Sequence, residues 1–248
     1  MLLCAATLAS CEENGLQDIT APATGARIKF FNFGVNAPGV NFYANDTKLT
    51  AISSATGSES TIGTAYGGVG SGGLYMAIAP GQYTLKGKIA AATDKDLAIA
   101  NLAATLTDGK YYSFYLSGFY NATTKTVDAF IVEDPFIPDF DFSATYVRFV
   151  HAISNGNPLI LYAKNTTTGD EVAAGGAIAY KAAGAFVKLP NGVYDLSTRY
   201  AGSTVNVITR TAVSFSAGRV YTIGARGDMT VTSTTAANRP LLDNTANR

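Results

Sequence analysis

The sequence predicts an all-β protein built as two tandem antiparallel β-sandwich domains. Three observations carry this. Short apolar runs are punctuated throughout by Gly and Pro, 25 and 8 of them in 248 residues, which is the spacing of strands and turns rather than of helices. Four motifs occur twice in the same order. The length also accommodates two units of roughly 100 residues, each large enough to bury a core of its own.

The repeat opens with a strand. Ala26–Phe33 (ARIKFFNF) and Thr145–Ala152 (TYVRFVHA) align Ile28 with Val147, Lys29 with Arg148, Phe30 with Phe149 and Phe31 with Val150. Each is followed by a Pro-containing turn and an apolar stretch ending in Tyr, Val40–Tyr43 and Leu159–Tyr162. Next, PGQYTL at 80–85 is answered by PNGVYDL at 190–196, and DGKYYSF at 108–114 by AGRVYTI at 217–223.

Between these anchors the apolar positions alternate. Tyr112, Phe114 and Leu116 share one face of a strand, with Tyr111, Ser113, Tyr115 and Ser117 on the other, so one side is expected to face the core and the other to carry hydroxyls outward. Strands are expected at 26–33, 39–44, 74–79, 82–91, 97–107, 110–119 and 126–133, and again at 145–152, 158–164, 177–180, 184–189, 193–201, 205–215 and 219–226. Seven short strands per repeat fit an immunoglobulin-like or transthyretin-like sandwich. The Ala-rich stretch 97–106 is read as a strand because its counterpart 205–215 carries Val, Ile and Thr.

The expected layout is 1–11 a signal with a lipid-attachment Cys, 12–25 a tether, 26–133 the first sandwich, 134–144 a connector and 145–248 the second sandwich with a polar tail. The connector holds Pro135, Pro138 and four apolar side chains, Phe136, Ile137, Phe140 and Phe142. Such side chains are expected to pack against both domains and to fix the pair. The tail, 238–248, reads as a frayed end or a last edge strand.

Met1–Cys11 is a short apolar run ending in small residues, too short to cross a bilayer. Its end, Leu8-Ala-Ser-Cys11, resembles the bacterial lipobox, which makes Cys11 the diacylated first residue of the mature protein. No Lys or Arg follows Met1, so the usual charged start is missing. Removal of Cys4 and blocking of Cys11 leave no disulfide framework and no free thiol. Glu12 and Glu13, directly after the Cys, resemble the surface-export signals of lipoproteins in the Bacteroidetes. That resemblance implies an outer-membrane lipoprotein exposed at the cell surface.

Taken together, the Val-Arg-Phe-Val-His-Ala opening, the Pro turn before an apolar-Tyr strand, Pro-(Asn)-Gly-x-Tyr-x-Leu and Gly-x-x-Tyr-Thr resemble the bacterial family called domain of unknown function 4397. The resemblance covers most of 26–231 in two copies and is closer in the second. It implies secreted or surface β-sandwich modules, with no established activity and no catalytic residues.

Chemistry is sparse. Charged residues are 15 %, with 18 Lys+Arg against 18 Asp+Glu, which offers no electrostatic funnel for nucleic acid. His151 is the single histidine, so a nucleophile triad or a common zinc site lacks its partners. It aligns with Asn32, and both side chains suit a hydrogen bond to a neighbouring loop. Gly68–Gly73 satisfies G-x-G-x-x-G, but a strand closed by Pro80 follows instead of the helix that would hold a pyrophosphate. Asp134, Asp139 and Asp141 cluster in the connector without the central Gly and closing Glu of a calcium loop. No catalytic residue, metal or cofactor is therefore assigned.

The reading is a non-enzymatic surface lipoprotein that binds a glycan or protein ligand, held to the membrane through its lipid. The alternatives are a structural envelope or surface-assembly protein, and a hydrolase using an unrecognised carboxylate pair. Candidate ligand residues are Tyr111, Tyr115 and Tyr120, because the second copy has Val220 and Gly224 where the first has Tyr111 and Tyr115. Exposed tyrosines present a flat apolar face with a hydroxyl. The competing possibility is that this face packs on the connector or on the other domain.

Overall fold

The computed structural model describes residues 24–50 and 61–247; the signal, Cys11 and most of the tether lie outside the described residues. The first half contains β1 (Ala26–Asn32), β2 (Val40–Ala44), β3 (Thr47–Lys48), β4 (Gly68–Val69), β5 (Met76–Ile78), β6 (Gly81–Ile89), β7 (Ala98–Leu106), β8 (Tyr111–Asn121) and β9 (Thr126–Glu133). The second contains β10 (Ala144–His151), β11 (Ile160–Asn165), β12 (Glu171–Ala173), β13 (Ala182–Ala183), β14 (Val187–Pro190), β15 (Gly192–Arg199), β16 (Ile208–Phe215), β17 (Arg219–Arg226) and β18 (Leu241–Ala246). Among the described residues no helix is long and apolar enough to cross a membrane.

The pairing of β1–β9 recurs in β10–β18. One sheet runs β3-β2-β6-β7 and its counterpart β12-β11-β15-β16; the other runs β4-β1-β8-β9 with β5 also on β1, and its counterpart β13-β10-β17-β18 with β14 also on β10. The registers agree as well: Ile28 lies opposite Tyr112 and Phe30 opposite Phe114, while Val147 lies opposite Tyr221 and Phe149 opposite Ile223. Both of these pairings are parallel, which corrects the expectation of wholly antiparallel sheets. The chain reaches β8 from β1 only after crossing to the other sheet and back, so β1 and β8 can run the same way.

Each half has its own core. Phe30, Phe42 and Phe114 meet in the first, with Phe30 and Phe42 stacked at 4.9 Å; Phe149, Leu161, Leu196 and Ile223 meet in the second. A third cluster, Phe31, Phe33, Tyr115 and Phe130 with Val150 and Ala152, draws on both β1-containing and β10-containing sheets. The four sheets thus form four layers, outer, inner, inner, outer. Inner strands are covered on both faces, and every residue of β10 is buried. Outer β16, by contrast, leaves most of its residues exposed.

The matched tyrosines do the same work in each half. Tyr83 donates to the Ala79 carbonyl at 2.9 Å and Tyr194 to the Pro190 carbonyl at 2.8 Å. The hydroxyls of Tyr112 and Tyr221 accept from the amides of Thr107 and Ser216, both at 3.2 Å. These bonds pin the turns that lead into β6, β15, β8 and β17.

Two local expectations are corrected, and of the two readings of the tail the edge strand is the one present. Residues 177–180 form no strand; Ile178 makes a single bridge to Leu159. The polar tail contains β18, the counterpart of β9, reached by the long connection 227–240. In the connector, Ile137 and Phe140 are half-buried, but Phe136 and Phe142 are 75 % and 77 % exposed. The halves are held by the packing of their inner sheets, so the connector has no need to bury all four side chains.

Candidate functional site: the polar seam between the inner sheets

The face of β8 read as outward is an internal surface. Tyr115 has no exposed area and is stacked between Phe31 at 4.3 Å and Phe130 at 4.9 Å; burial pushes its phenol pKa well up. The expectation that Tyr115 faces a ligand is corrected, and the competing possibility, packing on the other half, is what the structure contains. Tyr111 is half-buried and meets Tyr75 edge-on at 5.0 Å. Tyr120 is half-buried against the first core. Tyr111 and Tyr120 stand at opposite ends of β8, roughly 30 Å apart at the usual rise per residue, so the three tyrosines share no common surface.

What the fold does gather is charge. Arg148, on β10, is buried to 1 % and forms an ion pair with Asp134, at the end of β9, which is equally dry. Arg148 Nε donates to Thr222 Oγ1 at 3.0 Å and an Nη to the Glu133 carbonyl at 2.8 Å. Asp134 also accepts from Ser113 Oγ at 2.7 Å and Tyr75 Oη at 2.5 Å. Burial first, and the Asp134 charge second, push the Tyr75 phenol far above its ordinary range. With four named partners besides each other the pair is satisfied, which is the condition under which ions survive burial. Lys29, at the position matching Arg148, is also 1 % exposed; it donates to the Ala246 carbonyl at 2.5 Å and lies 4.2 Å from the Tyr75 ring.

These contacts are reciprocal. The basic residue of β1 reaches the last carbonyl of β18, and the basic residue of β10 reaches the last carbonyl of β9. Asn247 occupies the place of Asp134: its amide bonds the Val220 carbonyl as that of Asp134 bonds Tyr111, both at 2.7 Å. At the other end of the strands Tyr180 crosses to Ser117 and Asp128 of the first half, both at 2.9 Å. Its counterpart Tyr66 lies under the Arg226 guanidinium of the second, at 4.8 Å. Such mutual exchange is the pattern of a twofold interface, here within one chain. The side chains across it differ, large against small: Phe31, Phe33, Tyr115 and Phe130 stand where the second half has Val150, Ala152, Gly224 and Asp243. A Cβ at Gly224 would come within 2.8 Å of the Phe33 ring.

His151 is fully buried; its Nδ1 accepts the Ile153 amide at 3.2 Å, which leaves Nε2 to donate to the Asn157 carbonyl at 3.1 Å. Asn32 makes the same bond, six residues ahead, to the Pro38 carbonyl at 3.0 Å. Burial lowers the His151 pKa, so the ring is a neutral loop anchor. Gly70–Gly73 is a single 3-10 turn between β4 and β5. The connector aspartates disperse: Asp134 serves Arg148, while Asp141 caps Ser143 and pairs with Lys188 at 2.6 Å, which holds its carboxyl below the usual range. Among the described residues no three His, Cys, Asp or Glu side chains gather as a metal site.

From the sequence, Asp134 is weighed only as a calcium ligand and Arg148 only as a repeat position, and Tyr75 and Tyr180 are passed over. The available signal was the alignment of Lys29 with Arg148: a charge at the same place in two otherwise apolar strands has to be paired inside.

No curated protein matches the chain. Among solved structures it is similar to "The Bacillus anthracis TIE protein", at 16 % identity and a TM-score of 0.25, over 83 % of this chain and 34 % of that one. The chain therefore spans about a third of that protein's length. From the start of β10 to the end of β18, over residues 145–247, the sequence matches the model of the family described as Domain of unknown function (DUF4397).

Proposed function

We propose that this is a non-enzymatic, surface-exposed lipoprotein of the outer membrane, anchored through Cys11, in which residues 26–133 are a diverged second copy of the module at 145–247. Its role is adhesion or capture of a glycan or protein ligand. One observation supports this most: the two halves lie side by side with the same polarity. Thr24, the connector and the end of β18 share one end of the body, through the contacts of Lys29 and Arg148. The connections 33–39, 90–97, 122–125, 152–159, 200–207 and 227–240 share the other. Loops on a rigid sandwich are where recognition resides, and here both sets point away from the proposed anchor as one compound surface.

The tests are direct. Two acyl chains suffice for stable anchoring, so Cys11→Ala is expected to release the protein from membranes and to abolish a diacylglycerol adduct seen by mass spectrometry. Arrays of glycans and matrix proteins, probed with the full chain and with variants in 90–97 and 200–207, test the distal surface. Self-association with no external ligand would favour the structural reading instead, and turnover in a hydrolase screen would overturn the non-enzymatic one.

A further inference from the structure

We propose that the connector end is a membrane-contacting foot, in which Phe136 and Phe142 enter the headgroup region of a lipid bilayer. This rests on the reading of Cys11 as the lipid-bearing residue and extends it to the orientation of the body.

Phe136 and Phe142, 75 % and 77 % exposed, are the most exposed phenylalanines among the described residues. With Ile137, Phe140, Gly218 and Val220 they line an apolar hollow of about 230 Å³. The rings are presented on a braced loop. Phe140 packs on Phe142 and on Tyr146, both at 4.9 Å; the Asp141 amide donates to Tyr146 Oη at 3.0 Å; Asp141 in turn caps Ser143 at 2.8 Å. Exposed aromatic area held in this way in water implies a partner that covers it.

The position of the chain entry selects the partner. The described chain begins at Thr24, and Gly25 is fixed to the β7–β8 turn, its carbonyl accepting the Gly109 amide at 3.2 Å. The matching β16–β17 turn touches the connector, where Gly218 lies under Phe142. Residues 12–23 separate Cys11 from this end, and twelve residues reach at most about 40 Å. The lipid thus holds this end of the body within reach of the bilayer surface. Of the charges nearby, Lys110 pairs with Glu133 at 2.8 Å and Lys188 with Asp141 at 2.6 Å, while Asp139 and Arg219, both exposed, adjoin the hollow with opposite sign. The contact is therefore apolar and indifferent to lipid charge, like the interfacial anchoring of aromatic side chains.

The chain has no Trp, so Phe142→Trp introduces a single fluorescent reporter. It is placed in the full lipidated chain on phosphatidylcholine vesicles with brominated acyl chains. In parallel, the full chain carrying Cys11→Ala and an N-terminal hexahistidine is held on the same vesicles by a nickel-chelating lipid. The reporter at 142 is expected to shift to shorter wavelength and to be quenched about twofold or more in both preparations, equally with anionic lipid added. A reporter from Val205→Trp, at the distal end and 70 % exposed, is expected to stay unquenched. Vesicle-bound protein with no quenching at 142 overturns the proposal. So does a blue-shifted reporter at 142 without vesicles, which would mean that the protein's own residues fill the hollow. Quenching in the nickel-held sample alone would sustain the foot and reject the acylation of Cys11.

Discussion

Replacing Arg148 by Met removes the charge at the centre of the seam while keeping the length of its aliphatic stem. The side chains of Arg148 and Asp134 are 1 % and 0 % exposed, so no water is at hand to take over. Asp134 would keep its hydroxyl donors, Ser113 at 2.7 Å and Tyr75 at 2.5 Å, but lose its counter-charge. A buried charge stranded in this way costs about 3–5 kcal/mol. Asp134→Asn, the residue type that Asn247 supplies at the matching place, strands the guanidinium and is expected to cost a similar amount. The double variant leaves neutral groups at both positions and is expected to cost no more than either single change, a coupling of about 3 kcal/mol or more. Urea unfolding followed by circular dichroism and tyrosine fluorescence measures this, provided the slope with denaturant is unchanged. Single losses below about 1 kcal/mol, or losses that simply add, would refute the description of the seam as a dry ionic lock.

Three further outcomes follow, two from the seam and one from the His151 anchor. Gly224→Ala would on chain entropy alone stabilise a strand, but its Cβ falls 2.8 Å from the Phe33 ring; a net loss of about 1–3 kcal/mol is expected, partly restored by Phe33→Leu. Tyr115→Ala, at a fully buried ring, is expected to cost about 3–5 kcal/mol, and Tyr111→Ala less than half of that, both read by thermal melting; an unchanged melting temperature for Tyr115→Ala would return that residue to the surface. His151 has its folded pKa lowered by burial, so the unfolded state binds the proton first. Its contribution to stability is complete above the ordinary histidine pKa of about 6.5 and declines as pH falls below it. His151→Asn, which copies Asn32, is expected to flatten that decline, as measured by denaturation midpoints between pH 7 and pH 5.

Much of each half could be read from the chain because its signals are local. The tyrosines at 83 and 194 bond four residues back, those at 112 and 221 five residues back, and Asn32 and His151 six residues ahead. A repeated motif therefore carries its own partner with it. The stacking of the inner sheets is not local, and alternation misled there. Ser113 and Ser117 look like a solvated face, yet their hydroxyls serve Asp134 at the seam and Tyr180 across it. The warning was in strands with no polar side: Phe30, Phe31 and Phe33 fall on both faces of β1 and its continuation, and Tyr146–Val150 is apolar except for one Arg. Strands that read as near-continuous apolar runs are those covered on both faces. The parallel pairing of β1 with β8 depends on an excursion through the other sheet and has no local mark at all.

That parallel pairing also decides how the body bears tension. The described chain leads from Ala26 straight along β1, whose residues Arg27 to Asn32 are matched one to one with Tyr111 to Leu116 of β8. Force drawn between this entry point and the distal loops runs along the strand axis. The hydrogen bonds of the register are loaded in shear, all at once, instead of being peeled one after another. β10 and β17 repeat the arrangement over Thr145 to His151. The two innermost sheets, each bearing the ionic seam on its face, are thus the tensile members of the protein, and the outer sheets are cladding.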